Sequence, residues 1–329
     1  MKKQSWLVFG VAVVLGWSSA HAQEFKFATQ NPKGHPLVTG MERFAEIVAA
    51  KSGGKMKVNL FPGGVLGNDQ ANVSALQGGT LDMVVLNSGI LASQVKAFGV
   101  YDFPFMFANA KEADAVVDGP FGKMMHDKLQ AQGIVGLAYW ELGFRAITNS
   151  RRPITKVDDI AGLKLRVIPN AINVDWVKAL GANPTPLPFP EVYAALDQKA
   201  IDGQENPPAV ILANKFYEVQ KYLVLSNHQY NPQSLIFSKK TWDTLSPASQ
   251  KILADAAVEA GKYQREVSRS AAGTALDALK KNGMEVTDLS GAELAKFREA
   301  MKPVIAKHSE IVGADVVRAL ETELGKIRK

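Results

Sequence analysis

FKFATQNPKGHPLVTGMERFAEIVAAKSGGKMKVNL, residues 25–60, passes from strand to helix to strand. Phe25 to Thr29 reads as a strand. Leu37, Met41, Phe44 and Val48 then recur at helical spacing, which predicts a helix over 36–51 with Gly53 as its stop. Met56, Val58 and Leu60 alternate as a second strand. Outward from there, Asp69 to Gln77 is helical, and LDMVVL (81–86) is a strand that is apolar except for Asp82. This β-α-β-α-β order predicts a largely parallel, doubly wound sheet. The segments FPGGVLGND (61–69) and NSGI (87–90) follow strand C-termini, where open α/β sheets hold ligands.

Further on, residues 111–132 read as a helix in two pieces, split at Gly119-Pro120, and IVGLAYW (134–140) as a strand. The pattern then restarts. A strand over 163–168 is followed by helices over 170–180 and 190–199 and a short strand near Ile201, which marks a second α/β domain. SLIFSKKTW (234–242) reads as a strand returning to the first domain. From Pro247 to about Lys281, Ile252, Leu253, Ala256, Ala260, Tyr263 and Val267 keep one face apolar, with Ser246 able to cap the start and Gly283 the end. Such a helix is roughly 50 Å long at ~1.5 Å per residue, longer than one small domain needs, so it is expected to span both domains. The expected division is 23–144 with 232–271 in the first domain, and 145–231 with 272–329 in the second. Domains that exchange strands without a loose linker imply a clamshell with a hinge.

A chain of 329 residues exceeds one ordinary core, which agrees with two domains. Its 47% hydrophobic content is that of a packed globular protein. There are 38 basic and 32 acidic residues, and no basic stripe with interleaved aromatics, so no nucleic-acid partner is expected. The absence of cysteine excludes disulfides, thiolate metal sites and a cysteine nucleophile, and suits an oxidising compartment. The N-terminus shows Lys2 and Lys3, an apolar run from Trp6 to Trp17, and Ala20-His21-Ala22, the pattern of a secretory signal peptide cleaved after Ala22. Residues 1–22 are therefore expected to be removed, leaving an exported, soluble protein.

No catalytic motif is present: no G-x-S-x-G, Walker lysine loop, H-E-x-x-H or correctly spaced G-x-G-x-x-G. His35, His126, His228 and His308 are scattered, and none pairs at metal-ligand spacing. Asp158-Asp159 fits a helix start better than an acid/base pair, since adjacent residues do not face each other. Two arginines and one segment remain. Arg166 lies in GLKLRVIP (162–169), where Leu163, Leu165 and Val167 alternate onto one face and Pro169 ends the strand. Arg145 follows the strand at 134–140 in an aromatic neighbourhood of Tyr139, Trp140 and Phe144. IDGQENPP (201–208) reads as a polar loop presenting Asp202, Gln204, Glu205 and Asn206. Each arginine could serve an intramolecular salt bridge or a solvated strand end. Together they suit an anion cradle, because a guanidinium fork matches a carboxylate.

GLKLRVIP, LGFRAITNS (142–150), NPTPLPFPEVYAALDQKAIDGQENP (183–207) and KFYEVQKYL (215–223) resemble the solute-binding proteins of tripartite ATP-independent periplasmic (TRAP) transporters, of the dicarboxylate-binding (DctP) type. FPGGVLGND, GTLDMVVLNSG (79–89) and YDFPFMF (101–107) match as well, so the resemblance covers essentially the whole chain after the leader. It implies the two-domain α/β fold of periplasmic binding proteins, a Venus flytrap with a cleft between domains and a long helix crossing both. It implies that Arg166 pairs with a ligand carboxylate, that Arg145 supports the same anion, and that Asn206 hydrogen-bonds it. It also places Asn31 and Asp69 against the ligand body. Asn87 stands where sialic-acid-binding relatives carry glutamate, which argues against sialic acid. Asn31, Asp69, Asn87, Asn206 and Gln233 offer the donors and acceptors that hydroxyl-rich ligands require. The expected ligand is a monocarboxylic sugar acid such as a uronate; an aromatic or keto acid or a C4-dicarboxylate is the alternative. The resemblance further implies a periplasmic monomer, without cofactor, that delivers its ligand to a TRAP membrane permease. An exported hydrolase using Asp69 or Glu205, or a sensor subunit, are the rival classes.

Overall fold

The computed structural model describes residues 22–328, so the expected leader lies outside the described residues apart from Ala22. The strands in chain order are β1 (Gln23–Ala28), β2 (Met56–Phe61), β3 (Met83–Asn87), β4 (Ile134–Phe144), β5 (Ala146–Asn149), β6 (Lys164–Val167), β7 (Asn183–Pro186), β8 (Gly203–Asn206), β9 (Tyr222–Leu225), β10 (Tyr230–Ser238) and β11 (Glu285–Asp288). The helices are α1 (Pro36–Lys51), α2 (Asp69–Gly78), α3 (Ala110–Val117), α4 (Pro120–Asp127), α5 (Ala171–Ala179), α6 (Val192–Asp197), α7 (Pro208–Ala213), α8 (Lys239–Trp242), α9 (Pro247–Lys281), α10 (Gly291–Val312) and α11 (Ala314–Ile327).

Two mixed sheets result. The first has the order β2-β1-β3-β10-β4, with β1 parallel to β2 and β3, and β10 antiparallel to β3 and β4. The second has the order β11-β9-β5-β8-β6-β7, with β6 parallel to β7 and β8. The chain passes between the sheets where β4 runs into β5 and where β9 leads to β10.

The elements follow from local chemistry. His35 caps α1 by accepting from the Leu37 amide, Pro36 fills the first helical position, and Leu37, Met41, Phe44 and Val48 bury one face. The Ser246 hydroxyl caps α9 by accepting from the Ser249 amide, and Gly283, in the left-handed region at φ +90°, lets the chain turn away beyond its end. Near its start α9 packs Leu253, Ala256 and Ala260 against the core of the first sheet, with Phe27 and Trp140, while its last turns place Leu279 in the second core with Val192, Leu196 and Phe216. Two glycines allow this close approach. A Cβ at Gly40 of α1 would fall 2.6 Å from the Gln264 side chain, and one at Gly261 of α9 would fall 2.8 Å from Trp140.

Four expectations change. IDGQENPP is not a loop: residues 203–206 form β8, buried in the middle of the second sheet between β5 and β6. Its polar side chains are tolerated there because they bond one another and their neighbours. The strand expected at 234–242 begins earlier, at Tyr230, and stops at Ser238, whose hydroxyl caps the short helix α8. The helix expected at 190–199 is the shorter α6, because Pro188 and Pro190 hold the preceding residues in a tight turn. Finally, α11, placed with the second domain by chain order, packs on α3 and α4 beside the first sheet, where Arg328 clamps Glu112 at 2.8 Å.

Candidate functional site

Between the sheets, near the C-terminal ends of β1, β3 and β6, lies a cleft whose free space, counting the part open to solvent, is about 580 Å³. Its wall includes all seven residues singled out from sequence: Asn31, Asp69, Asn87, Arg145, Arg166, Asn206 and Gln233. The two arginines have different surroundings, however.

Arg145, at the junction of β4 and β5, is fully buried and already paired. Its Nε and Nη2 grip the Glu205 carboxylate, with Nη2–Oε1 at 2.8 Å, and its Nη1 donates to Asn231 Oδ1 at 2.5 Å. His228 Nε2 lies 3.3 Å from Glu205 Oε2, and the other ring nitrogen meets Ser226 Oγ at 2.8 Å. Burial by itself would raise the Glu205 carboxyl, but Arg145 and His228 outweigh it and hold the group at about 2. Burial keeps His228 below its ordinary value despite this carboxylate. Arg145 therefore forms a structural ion pair, and contributes to the cavity a charge already matched inside the protein.

Arg166, on β6, is just as buried, at 2% exposure, yet its Nε donates only to the Leu187 carbonyl at 2.9 Å. Its guanidinium lies 5.7 Å from the Phe189 ring centre. Among the described residues no carboxylate comes within ion-pair distance of it. Burial lowers its pKa to about 10, still well above neutrality, so the cation persists in the cavity without a close counter-ion.

The rest of the wall is neutral and partly unsatisfied. Asn31 Oδ1, Gln30 Oε1 and Gln233 Nε2 are buried without a hydrogen-bond partner among the described residues. Such groups are costly unless something pairs with them. Gln233 stands opposite Asn87 in the β10–β3 register. Asn206 Nδ2 donates to Gln204 Oε1 at 2.6 Å. Apolar surface comes from Ile90, Leu142, Ile168, Phe189 and Val210. Asp69, half-buried in the first turn of α2, is the remaining ionisable group. Desolvation pushes its carboxyl up to about 7 even though Arg166 opposes the shift.

Two features escaped the sequence reading. Gln30, beside Asn31, reaches the cavity and donates to the Gly67 carbonyl at 2.9 Å. Beneath Asn87 lies Asp102, fully buried, which accepts from Asn87 (3.3 Å), Asn173 (3.1 Å), Asn231 (3.2 Å) and Asn170. Burial raises its pKa, and the amides act against that. The one clue in the sequence was an acid inside the apolar YDFPFMF run.

Comparison with known proteins gives the family. The model of the bacterial extracellular solute-binding proteins, family 7 (DctP), matches residues 27–310. A 2,3-diketo-L-gulonate-binding periplasmic protein of Escherichia coli strain K12 is 38% identical over 273 residues, covering 83% of this chain and 83% of that one. The sugar-acid-binding protein of Advenella mimigardefordensis, solved with galactonate, is 41% identical, with a TM-score of 0.91 over 93% of this chain and 99% of that one. A TRAP periplasmic solute-binding protein of Ochrobactrum anthropi, solved with its C-terminus in the ligand-binding pocket, is 53% identical, with a TM-score of 0.84 over 94% and 97% of the two chains. The chain belongs to the family 7 bacterial extracellular solute-binding proteins, the DctP-type periplasmic binding proteins of TRAP transporters, which take organic acids.

Proposed function

We propose that this protein captures a monocarboxylic sugar acid, an aldonate or a uronate, and presents it to a TRAP membrane permease. The observation that carries this reading is the guanidinium of Arg166, buried in the cavity wall with no protein carboxylate within ion-pair distance among the described residues. A ligand carboxylate supplies the missing partner, and the fork fixes its orientation. The unpartnered Asn31, Gln30 and Gln233 atoms then accept from and donate to hydroxyl groups on the ligand body. With Arg145 already matched by Glu205, the wall holds one available cation, which suits one carboxylate better than two. Support comes also from the A. mimigardefordensis relative, whose structure holds galactonate.

Thermal unfolding with D-galactonate, its uncharged amide and succinate tests the reading. At about 100 times its dissociation constant the acid adds ~2.7 kcal/mol to stability. The amide is expected to give no shift, and succinate a smaller one. Equal shifts from acid and amide would remove the carboxylate from the model, and a larger shift from succinate would replace the sugar acid by a dicarboxylate.

A further inference from the structure

We propose that Asp69 takes up one proton from solvent when a carboxylate ligand closes into the cavity, so that capture is coupled to proton binding and singly charged acids are favoured. This rests on the proposed function and adds a specificity-determining role for one residue.

The argument is a count of charges. Among the described residues lining the cavity, the ionisable side chains are Asp69, Arg145 and Arg166. Arg145 is neutralised by Glu205, with His228 behind that pair. Asp102, under Asn87, is held by four side-chain amides and does not line the cavity. What remains is one cation, Arg166, and one anion, Asp69, not in direct contact. A ligand carboxylate makes two anions for one cation in a space from which water has been removed. An uncompensated anion there is expensive, and no further cation lines the wall. Protonating the weaker acid resolves the excess. The ligand carboxylate, paired with Arg166, remains a strong acid. Asp69 does not pair closely, and desolvation already outweighs Arg166, so it is the group that gains the proton. A protonated Asp69 also acquires an O–H donor for a ligand hydroxyl. A dicarboxylate would leave one more negative charge without an answer.

The sign follows from linkage. If the complex binds the proton more tightly than the free protein, affinity is full below the free-state value of about 7 and is lost as pH rises above it. The loss approaches tenfold per pH unit, so roughly five- to tenfold between pH 6 and pH 8. Sugar-acid carboxyls stay ionised throughout. Calorimetric titration with D-galactonate, D-erythronate and succinate, at pH 6 and pH 8 and in two buffers of different ionisation enthalpy, reads both quantities. The expected result is tighter binding at pH 6, close to one proton taken up per ligand at pH 8, and loss of both in Asp69→Asn. Binding by the wild type with no proton uptake and no pH slope overturns the coupling while leaving the proposed function standing, as does a slope that persists in Asp69→Asn. No binding of any of the three acids at either pH overturns the capture reading and the coupling with it.

Discussion

Arg145 and Arg166 are equally buried, but their removal should have opposite consequences. Truncating Arg145 removes the cation that matches Glu205 and leaves only His228 beside that buried carboxylate, and breaking a buried pair in this way costs about 3–5 kcal/mol. Arg145→Ala should therefore unfold at clearly lower temperature with or without ligand. Truncating Arg166 removes a cation that has no close protein counter-ion, so Arg166→Ala should keep or slightly raise the melting temperature of the free protein. Its ligand affinity should fall by tens to thousands of fold, from roughly 2–5 kcal/mol for a broken buried pair. Arg166→Lys keeps charge without the fork and should fail nearly as badly. Melting curves and calorimetry on the two alanine variants check this contrast, and a large loss of stability in Arg166→Ala would mean that it serves the fold instead. Glu205 adds a pH dependence. Its folded pKa of about 2 lies below its ordinary 4.5, so its contribution is complete above 4.5 and is lost as pH falls from there toward 2. Acid unfolding monitored by circular dichroism should set in at higher pH in Arg145→Ala than in the wild type.

At the scale of elements, α9 was legible from end to end because each of its signals is local: Ser246-Pro247 at the start, an apolar face, and Gly283 beyond the end. The same holds for α1, with His35-Pro36 before an apolar stripe. β8 was not legible. Strand recognition relies on apolar residues marking the buried face, and in GQEN the buried side chains are polar, satisfied by Arg145, Thr148 and one another. The partners of Asp102 come from residues 87, 170, 173 and 231, a constellation that no spacing along the chain reveals. For the same reason the two arginines read alike in sequence: Glu205, which separates their roles, lies 60 residues from Arg145. The packing of α9 carries its own test. Gly261→Leu drives a side chain into Trp140, whose indole N–H donates to the Ala257 carbonyl at 3.0 Å, and overpacking of this kind costs ~1–3 kcal/mol. The variant should melt earlier while its affinity at low temperature stays near wild type, since neither Gly261 nor Trp140 lines the cavity. A loss of affinity without loss of stability would show that α9 sets the cleft geometry directly.

For the whole molecule, the position of the shared core decides how the two halves can move. One hydrophobic cluster runs through both, from Phe98 and Tyr101 to Trp176 and Phe297, and Asp102 is tied to Asn170 and Asn173 of the second half. The strand crossings lie beside it: Gln229, just before β10, bonds both the Asp102 carbonyl and Asn173 Oδ1. This side should act as the hinge, because separating it would expose apolar surface and strand a buried carboxylate. The opposite edge is built differently. There the segment 62–68 meets the 188–190 turn across the cavity, with Gly64, in the left-handed region at φ +71°, close enough that a Cβ would lie 3.2 Å from Pro190. Under the proposed function the ligand joins the two walls here, with its carboxylate on Arg166 and its body against Asp69 and Asn31. Motion should therefore open this edge and leave the hinge side in place. Because the natural chain has no cysteine, Val65→Cys and Tyr193→Cys introduce two unique labelling positions, both exposed, one within the segment 62–68 and the other three residues past Pro190. The label–label distance distribution, measured by pulsed electron spin resonance, should be broad and long in the free protein and should narrow and shorten with saturating D-galactonate. Arg166→Ala should keep the long distribution at the same ligand concentration. A distance unchanged by ligand in the wild type would rule out opening at this edge and require the ligand to enter a cavity that is closed beforehand.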